Sequence, residues 1–394
     1  MTSDGLRAAL HGLALPEQLT DAEAVAERHA RARWSVLAEP GDAIAGLAVA
    51  RLGASAALEA ALDGGPAPEV VELSEREWSR ALGRWQPRRD DHEYPLELAR
   101  RVGARLVIPG DPDWPGKLDD LGVHAPLALW VRGRTPVLAG DAPAVALVGA
   151  RAATSYGVRV TAELAGDLAA RGATIVSGAA FGIDAAAHRA SIAVGGQGIA
   201  VLAGGVEKAY PAAHADLLAG LSRQGAVISE VPCGTAPTKW RFLQRNRVIA
   251  ALADATVVVE AGWRSGSLNT AGHAASLGRA LGAVPGPVTS AASAGCHRIL
   301  REYDGHCITS ADDVRELIGW SRDDPQPTHP DLTAARTDDA TRILDALSTR
   351  TPRHIAEIAR RSGVPADEAT ALLGLLALEG RAEVDPRGWR RPRS

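Results

Sequence analysis

At 394 residues the chain is too long for one ordinary domain, and an apolar fraction of 46% is enough to bury a sizeable core. A formal net charge of −4 neither marks nor excludes a polyanionic partner, so the placement of positive charge matters more than its sum. Only three of the 43 basic residues are lysines (Lys117, Lys208 and Lys239), a bias towards arginine that by itself says nothing about binding.

The N-terminus, Met1 to Leu15, lacks the basic stretch and apolar run of a signal peptide, and no run of 18 apolar residues appears anywhere. A cytoplasmic protein without membrane insertion is expected. Cys233, Cys296 and Cys307 are odd in number and far apart, with no CxxC pair, which argues against a metal site or a disulfide framework.

From Leu6 to about Leu98 the apolar spacing is helical, notably over Ala22–Leu37 and Asp42–Leu62. The breaker cluster at residues 64–68 and the polar stretch Gln86–Tyr94 frame a helical module over residues 1–99 with no readable chemistry. A leading extension over residues 100–142 supplies two strand signals, Ala104–Ile108 and Pro126–Val131. Strands then alternate with helices: Ala144–Val148, Ala173–Val176, Gly198–Leu202, Ala226–Ile228, Ala255–Val259 and Leu281–Val284. Such near-continuous apolar strands predict a Rossmann-like α/β domain over residues 100–320, a parallel sheet with helices on both faces. Ligands of these sheets sit beyond the carboxyl ends of the strands.

A Pro-rich linker is expected over residues 321–337, followed by a C-terminal winged helix over residues 338–394. Its helices are Thr341–Leu347, His354–Ser362 and Pro365–Leu378, and Arg381–Arg391 reads as a two-stranded wing. The third helix carries Asp367 and Glu368 and no base, a poor reader of a major groove.

Four loops at strand ends carry the candidate chemistry. Gly149 and Arg151 follow the first core strand and lead into a helix whose N-terminus is expected to offer free N–H groups to an anion. Ser177 and Gly178 follow the second, ahead of Asp184 and His188, which read as a loop-ordering and a packing residue. Ser265, Gly266 and Ser267 open another helix, and Val284–Pro287 forms the fourth loop. A fifth segment, residues 239–247, packs Lys239, Arg241, Arg245 and Arg247 with Trp240, Phe242 and Asn246. Cations follow a phosphate backbone and aromatic planes stack on bases, and no helix dipole favours cations at a helix start. Together these residues predict an extended phosphate-binding rim.

The succession Val-Gly-Ala-Arg (148–151), Ser-Gly-Ala-Ala-Phe-Gly-Ile-Asp (177–184), Tyr210-Pro211, Arg245-Asn246-Arg247, Ser265–Thr270 and Val284–Gly286 resembles the bacterial DNA-processing protein A family (DprA, Smf). The resemblance runs over about Ala104 to Ile318. It implies a dimeric single-stranded-DNA-binding protein, not an enzyme and without cofactor, that protects incoming DNA and helps load the RecA recombinase during natural transformation. It also implies that Arg151, Ser177, Gly178, Arg245, Asn246, Arg247 and Ser265–Ser267 line the DNA groove. Three positions depart from the pattern: Phe181 stands where many members carry arginine, Ala212–Asp216 where an Asn and a Lys are frequent, and His297 where Asn is common. Nucleoside-monophosphate phosphoribohydrolases share the fold, but their loop carries a catalytic glutamate; here Ser265–Ala271 has no carboxylate. A dinucleotide-dependent oxidoreductase is disfavoured by the lack of a GxGxxG after the first strand.

Overall fold

The computed structural model describes residues 2–89, 93–320 and 339–392. Two compact units divide the chain, Met1–Ser321 and Arg322–Ser394. The expected linker, residues 321–337, lies outside the described residues.

The first unit opens with helices α1 (Ser3–Leu10), α2 (Ala22–Leu37), α3 (Ala43–Leu52), α4 (Ala54–Asp63), α5 (Glu75–Trp85) and α6 (Glu93–Arg101). The single helical stretch expected over Asp42–Leu62 is two helices. Gly53 breaks it at φ 79°, a left-handed value that glycine adopts without the steric cost a Cβ would bring. Trp34, Trp78 and Trp85 meet edge-to-face, at 5.0 and 5.6 Å between centroids, to form the core of this layer.

Nine strands follow: β1 (Arg105–Val107), β2 (Leu129–Gly133), β3 (Ala144–Gly149), β4 (Thr174–Ser177), β5 (Gly198–Leu202), β6 (Ala226–Ser229), β7 (Ala255–Glu260), β8 (Ala280–Ala283) and β9 (His306–Cys307). They form one sheet in the order β1-β2-β6-β5-β4-β3-β7-β8-β9. From β6 to β9 neighbours are parallel, whereas β1 and β2 run antiparallel at one edge. The interleaved helices are α7 (Ser155–Ala170), α8 (Ile183–Ala193), α9 (Ala215–Gln224), α10 (Lys239–Leu252), α11 (Ser267–Ser276), α12 (Ala294–Glu302) and α13 (Ala311–Leu317).

Strand alternation sorts the core onto two faces. Val145 and Leu147 pack with α7 and α8, while Ala146 and Val148 pack with α10 and α11. The helices of residues 1–99 are not a separate body. Leu10, Leu13 and Val25 share a buried cluster with Leu106, Trp130, Ala200 and Leu202 of the sheet. The buried guanidinium of Arg28 grips Asp111, and Trp130 donates to Ser35 Oγ at 3.1 Å across the same seam.

The second unit contains α14 (Asp339–Ala346), α15 (Ile355–Ser362) and α16 (Ala366–Leu378), then the hairpin β10 (Glu383–Asp385) and β11 (Gly388–Arg390). Gly363 ends α15 at φ 69°, which supplies the turn into α16. Ile343, Ile358, Leu373 and Leu376 fill its small core. This is the winged-helix order read from the sequence.

Candidate nucleic-acid interface

Strand β3 is the switch point of the sheet, since β4 lies on one side of it and β7 on the other. At the carboxyl ends of such strands the flanking loops diverge and leave a crevice. A groove of about 650 Å³ opens there, lined by the β3 loop, the β7 loop and the outer face of α10. Gly149, Arg151, Lys239, Arg245, Asn246, Ser265, Gly266 and Ser267 all border it.

Four expected site residues do not. Ser177 is fully buried and its hydroxyl donates to Leu147 O at 2.6 Å, so it serves the sheet. Gly178 lies beneath Arg245, where a Cβ would fall inside the guanidinium, and borders instead a neighbouring hollow of about 380 Å³. Arg247 is buried and donates from Nη2 to both oxygens of Glu230, at 2.6 and 2.7 Å. Arg241 holds Glu39 through Nε and Nη2, at 2.9 and 2.8 Å. Burial alone would raise the Glu39 carboxyl, but the bonds and charge of Arg241 and Arg88 hold it below its ordinary value. Half of the arginine-rich segment is therefore internal electrostatics, which spacing along one helix could not distinguish from a binding face.

Arg245 is intermediate in character. Its side chain is buried with Nη1 4.0 Å from Asp184 Oδ2. Burial pushes the guanidinium down to about 10, with Asp184 opposing that shift. Asp184 also accepts from Gly178 N at 3.1 Å and Ala180 N at 3.4 Å, so it orders the β4 loop as expected of it. Next along the loop, Ala179 sits at φ 52°, a strained conformation for a residue with a Cβ. His188 is wholly buried, and desolvation pushes its imidazole down to about 4.

The helix N-terminus after β3 is not open to an anion, contrary to expectation. Thr154 N and Thr154 Oγ1 donate to the buried carboxylate of Glu260, at 2.8 and 2.7 Å, and Gly157 leaves room for that carboxylate. The chain thus supplies its own negative charge at the positive end of α7. At the N-terminus of α11, by contrast, Gly266 is exposed at the groove, and Ser265 Oγ and Ser267 Oγ bond each other at 2.7 Å. Asn246 Nδ2 reaches Asn269 Oδ1 at 3.1 Å and so ties α10 to α11 along the groove floor.

The solvent-open cations at the rim are Arg151, Lys239 and Arg264. Arg264 was missed, although it stands in the loop directly after β7, where the same reasoning applies as for Arg151. Phe242 forms a ring face between Arg151 and Arg245, whose guanidinium carbons lie 4.9 and 5.7 Å from its centroid. Tyr210 adds a second ring at 5.6 Å, and both rings line the groove and the adjoining hollow. Trp240 is 57% exposed beside Lys239. The departures at Phe181 and His214 meet each other edge-on at 4.8 Å, while His214 Nδ1 lies 2.9 Å from Ala179 O. One missing cation is thus replaced by an exposed ring held on a buried imidazole. His297 Nε2 lies 2.9 Å from Gly286 O and fastens the loop after β8.

Fold and groove together define a Rossmann-like α/β protein whose switch point presents arginine, lysine and aromatic faces to solvent. The model of the family "DNA recombination-mediator protein A" matches residues 105–319, and that of the "DprA winged helix domain" matches residues 326–388. This chain belongs to the DprA/Smf family. A putative DNA processing protein DprA from Mycobacterium tuberculosis (strain H37Rv) is 43% identical over 309 residues, 75% of this chain and 79% of its own. Protein Smf of Escherichia coli (strain K12) is 36% identical over 278 residues, 68% of this chain and 72% of its own. The X-ray structure of DNA processing protein A from Streptococcus pneumoniae superposes with a TM-score of 0.60 at 29% identity, covering 74% of this chain and 97% of that one. Among the described residues no helix is long and apolar enough to cross a membrane, and no cluster of His, Cys, Asp or Glu is arranged to hold a metal.

Proposed function

We propose that the switch-point groove binds single-stranded DNA with little regard to sequence, as part of a DNA-processing role in recombination. The observation that carries this reading is the bordering of one open groove by three solvent-open cations, Arg151, Lys239 and Arg264, and two ring faces, Tyr210 and Phe242. Cations neutralise successive phosphates while rings stack on bases of any identity. Gly266, where a Cβ would meet only open space, lets a backbone approach closely beside the Ser265 and Ser267 hydroxyls, whereas Gly149 packs against Ile183 and Glu260.

No bond is made or broken in this proposal. The carboxylate at the groove, Asp184, is committed to Gly178 N, Ala180 N and Arg245, and Glu260 is sealed beneath Thr154. Neither is placed to protonate a sugar leaving group, which weighs against hydrolysis of a nucleoside monophosphate. The finer reading, protection of incoming strands, delivery of the RecA recombinase, a homodimer and a cytoplasmic setting, is supported by the family resemblance.

Fluorescence anisotropy with labelled single- and double-stranded oligonucleotides, run beside an assay for base release from nucleoside monophosphates, tests the reading. Preferential single-strand binding is expected, with log affinity falling against log salt by about 0.7 per phosphate neutralised. Base release without oligonucleotide binding would overturn it.

A further inference from the structure

Helix α5 carries arginines at every fourth position, Arg76, Arg80 and Arg84, and Arg88 continues the spacing just beyond its end. Like charges four residues apart share one face of a helix and destabilise it, so this row works against the fold unless an anion meets it. The two members nearest the C-terminus are anchored. Arg84 reaches Asp42 at 3.0 Å, and Arg88 shares Glu39 with Arg241 of α10. Two guanidinium groups on one carboxylate leave a positive charge in excess at that junction.

The other two members are open. Arg76 and Arg80 are exposed and form no ion pair among the described residues. Of the neighbouring carboxylates, Glu77 accepts from Ser74 N and Oγ and also feels the charge of Arg80, Glu75 accepts from Ala67 N, and Glu72 meets Arg51. Glu39 joins this row to the first turn of α10, because it holds both Arg88 and Arg241, and Lys239 of the same turn borders the groove. A line of arginines therefore runs from the first turn of α10 through the Arg241–Glu39–Arg88 junction and along α5, interrupted at Arg84 by its pair with Asp42, with Arg76 about 12 Å beyond Arg84 at the rise of an α-helix.

We propose that a single strand leaving the groove past Lys239 and Trp240 continues over the N-terminal helices, its phosphates held by Arg80 and Arg76. This extension rests on the groove reading above and adds a second, sequence-independent contact to it. A polyanionic backbone fits the row because the contacts repeat along a line. Arg76 and Arg80 offer the strand charge alone, whereas the Arg241–Arg88 junction adjoins a hollow of about 330 Å³ that Tyr94 lines.

The test uses the full chain and oligothymidylates of about six and about thirty nucleotides, since single-strand grooves hold stretches of this shorter order. The double variant Arg76→Ala/Arg80→Ala is expected to lose about tenfold in affinity for the long oligomer. Its salt slope should be shallower by about 1.4, the value for two phosphates, with the short oligomer bound as before. Arg76→Lys/Arg80→Lys should retain most of the long-oligomer affinity, because the contact is one of charge. Unchanged long-oligomer affinity and slope, or an equal loss on both lengths, would overturn the extension. Arg151→Ala separates the two ideas: it must weaken the short oligomer if the groove reading is correct, whatever α5 does.

Discussion

Arg245 lies across Gly178, in the space that any side chain at that position would claim. The glycine after β4 is thus a packing requirement: it admits the guanidinium that faces Asp184 and leaves its ring-facing edge beside Phe242. Gly178→Ala should expel Arg245 from this slot and uncouple it from Asp184. A loss of about 1–3 kcal/mol in unfolding free energy is expected from the overpacking, together with weaker single-strand binding. Denaturant unfolding and anisotropy on the same preparation check both. A fully stable variant with unaltered binding would show that the slot has no bearing on the groove.

Arg247 and Arg151 should separate cleanly although both belong to the motifs that suggested binding. Arg247→Ala leaves the Glu230 carboxylate without the guanidinium that meets both its oxygens and should cost about 3–5 kcal/mol of stability. Arg151→Ala removes an exposed cation at the rim and should leave the unfolding midpoint in place. Single-strand affinity should fall by about 1–3 kcal/mol if its contact with phosphate is charge-assisted. The opposite pattern, a destabilised Arg151→Ala beside a stable Arg247→Ala, would reverse the assignment of the two side chains.

Stacking and charge leave different signatures in salt. Trp240→Ala deletes an exposed ring without touching a charge. Affinity should drop by about 1–3 kcal/mol at every salt concentration, with an unchanged log–log slope. Arg264→Ala should instead make the slope shallower by about 0.7. A salt-dependent loss in Trp240→Ala would remove the ring from the stacking role.

His188 links acidity to stability. Its folded imidazole is held near 4 by burial, against 6.5 in an ordinary setting. The unfolded chain therefore takes up a proton first as pH falls, and the stabilising contribution present above 6.5 is lost between 6.5 and about 4. That window corresponds to about 3 kcal/mol for a shift of this size. Asp184 acts in the opposite sense, because burial raises its carboxyl and the folded form binds that proton more readily than the unfolded chain does. His188→Gln removes the histidine term alone and should flatten the decline in unfolding free energy between pH 6.5 and 4. An identical pH profile in the variant would mean that the imidazole titrates normally.

Much of the architecture was written in local pattern. The continuous apolar runs 144–148, 198–202 and 255–259 appear as β3, β5 and β7 within one residue at either end, since a strand buried on both faces has few polar alternatives. The short edge strand β9, with both residues exposed, left no such trace. Gly53 divided a helix that periodicity alone presented as continuous.

Which side chains face the groove is set by contacts that local spacing does not contain. The order of motifs and the chemistry of Gly149, Arg151 and Ser265–Ser267 placed these residues at strand ends, because loops after parallel strands converge on one edge whatever the rest of the chain does. Which cations face solvent depends on partners far away along the chain. Glu39 neutralises Arg241, Glu230 neutralises Arg247, and Glu260 closes the N-terminus of α7, each across a separation only the folded chain removes. Local spacing therefore determined the sheet and the edge that carries the site, while tertiary contacts decided which charges remain to meet a ligand. The physical reason is that a charge is spent or available according to its nearest opposite neighbour in space, and proximity in space between distant residues is a property of the fold.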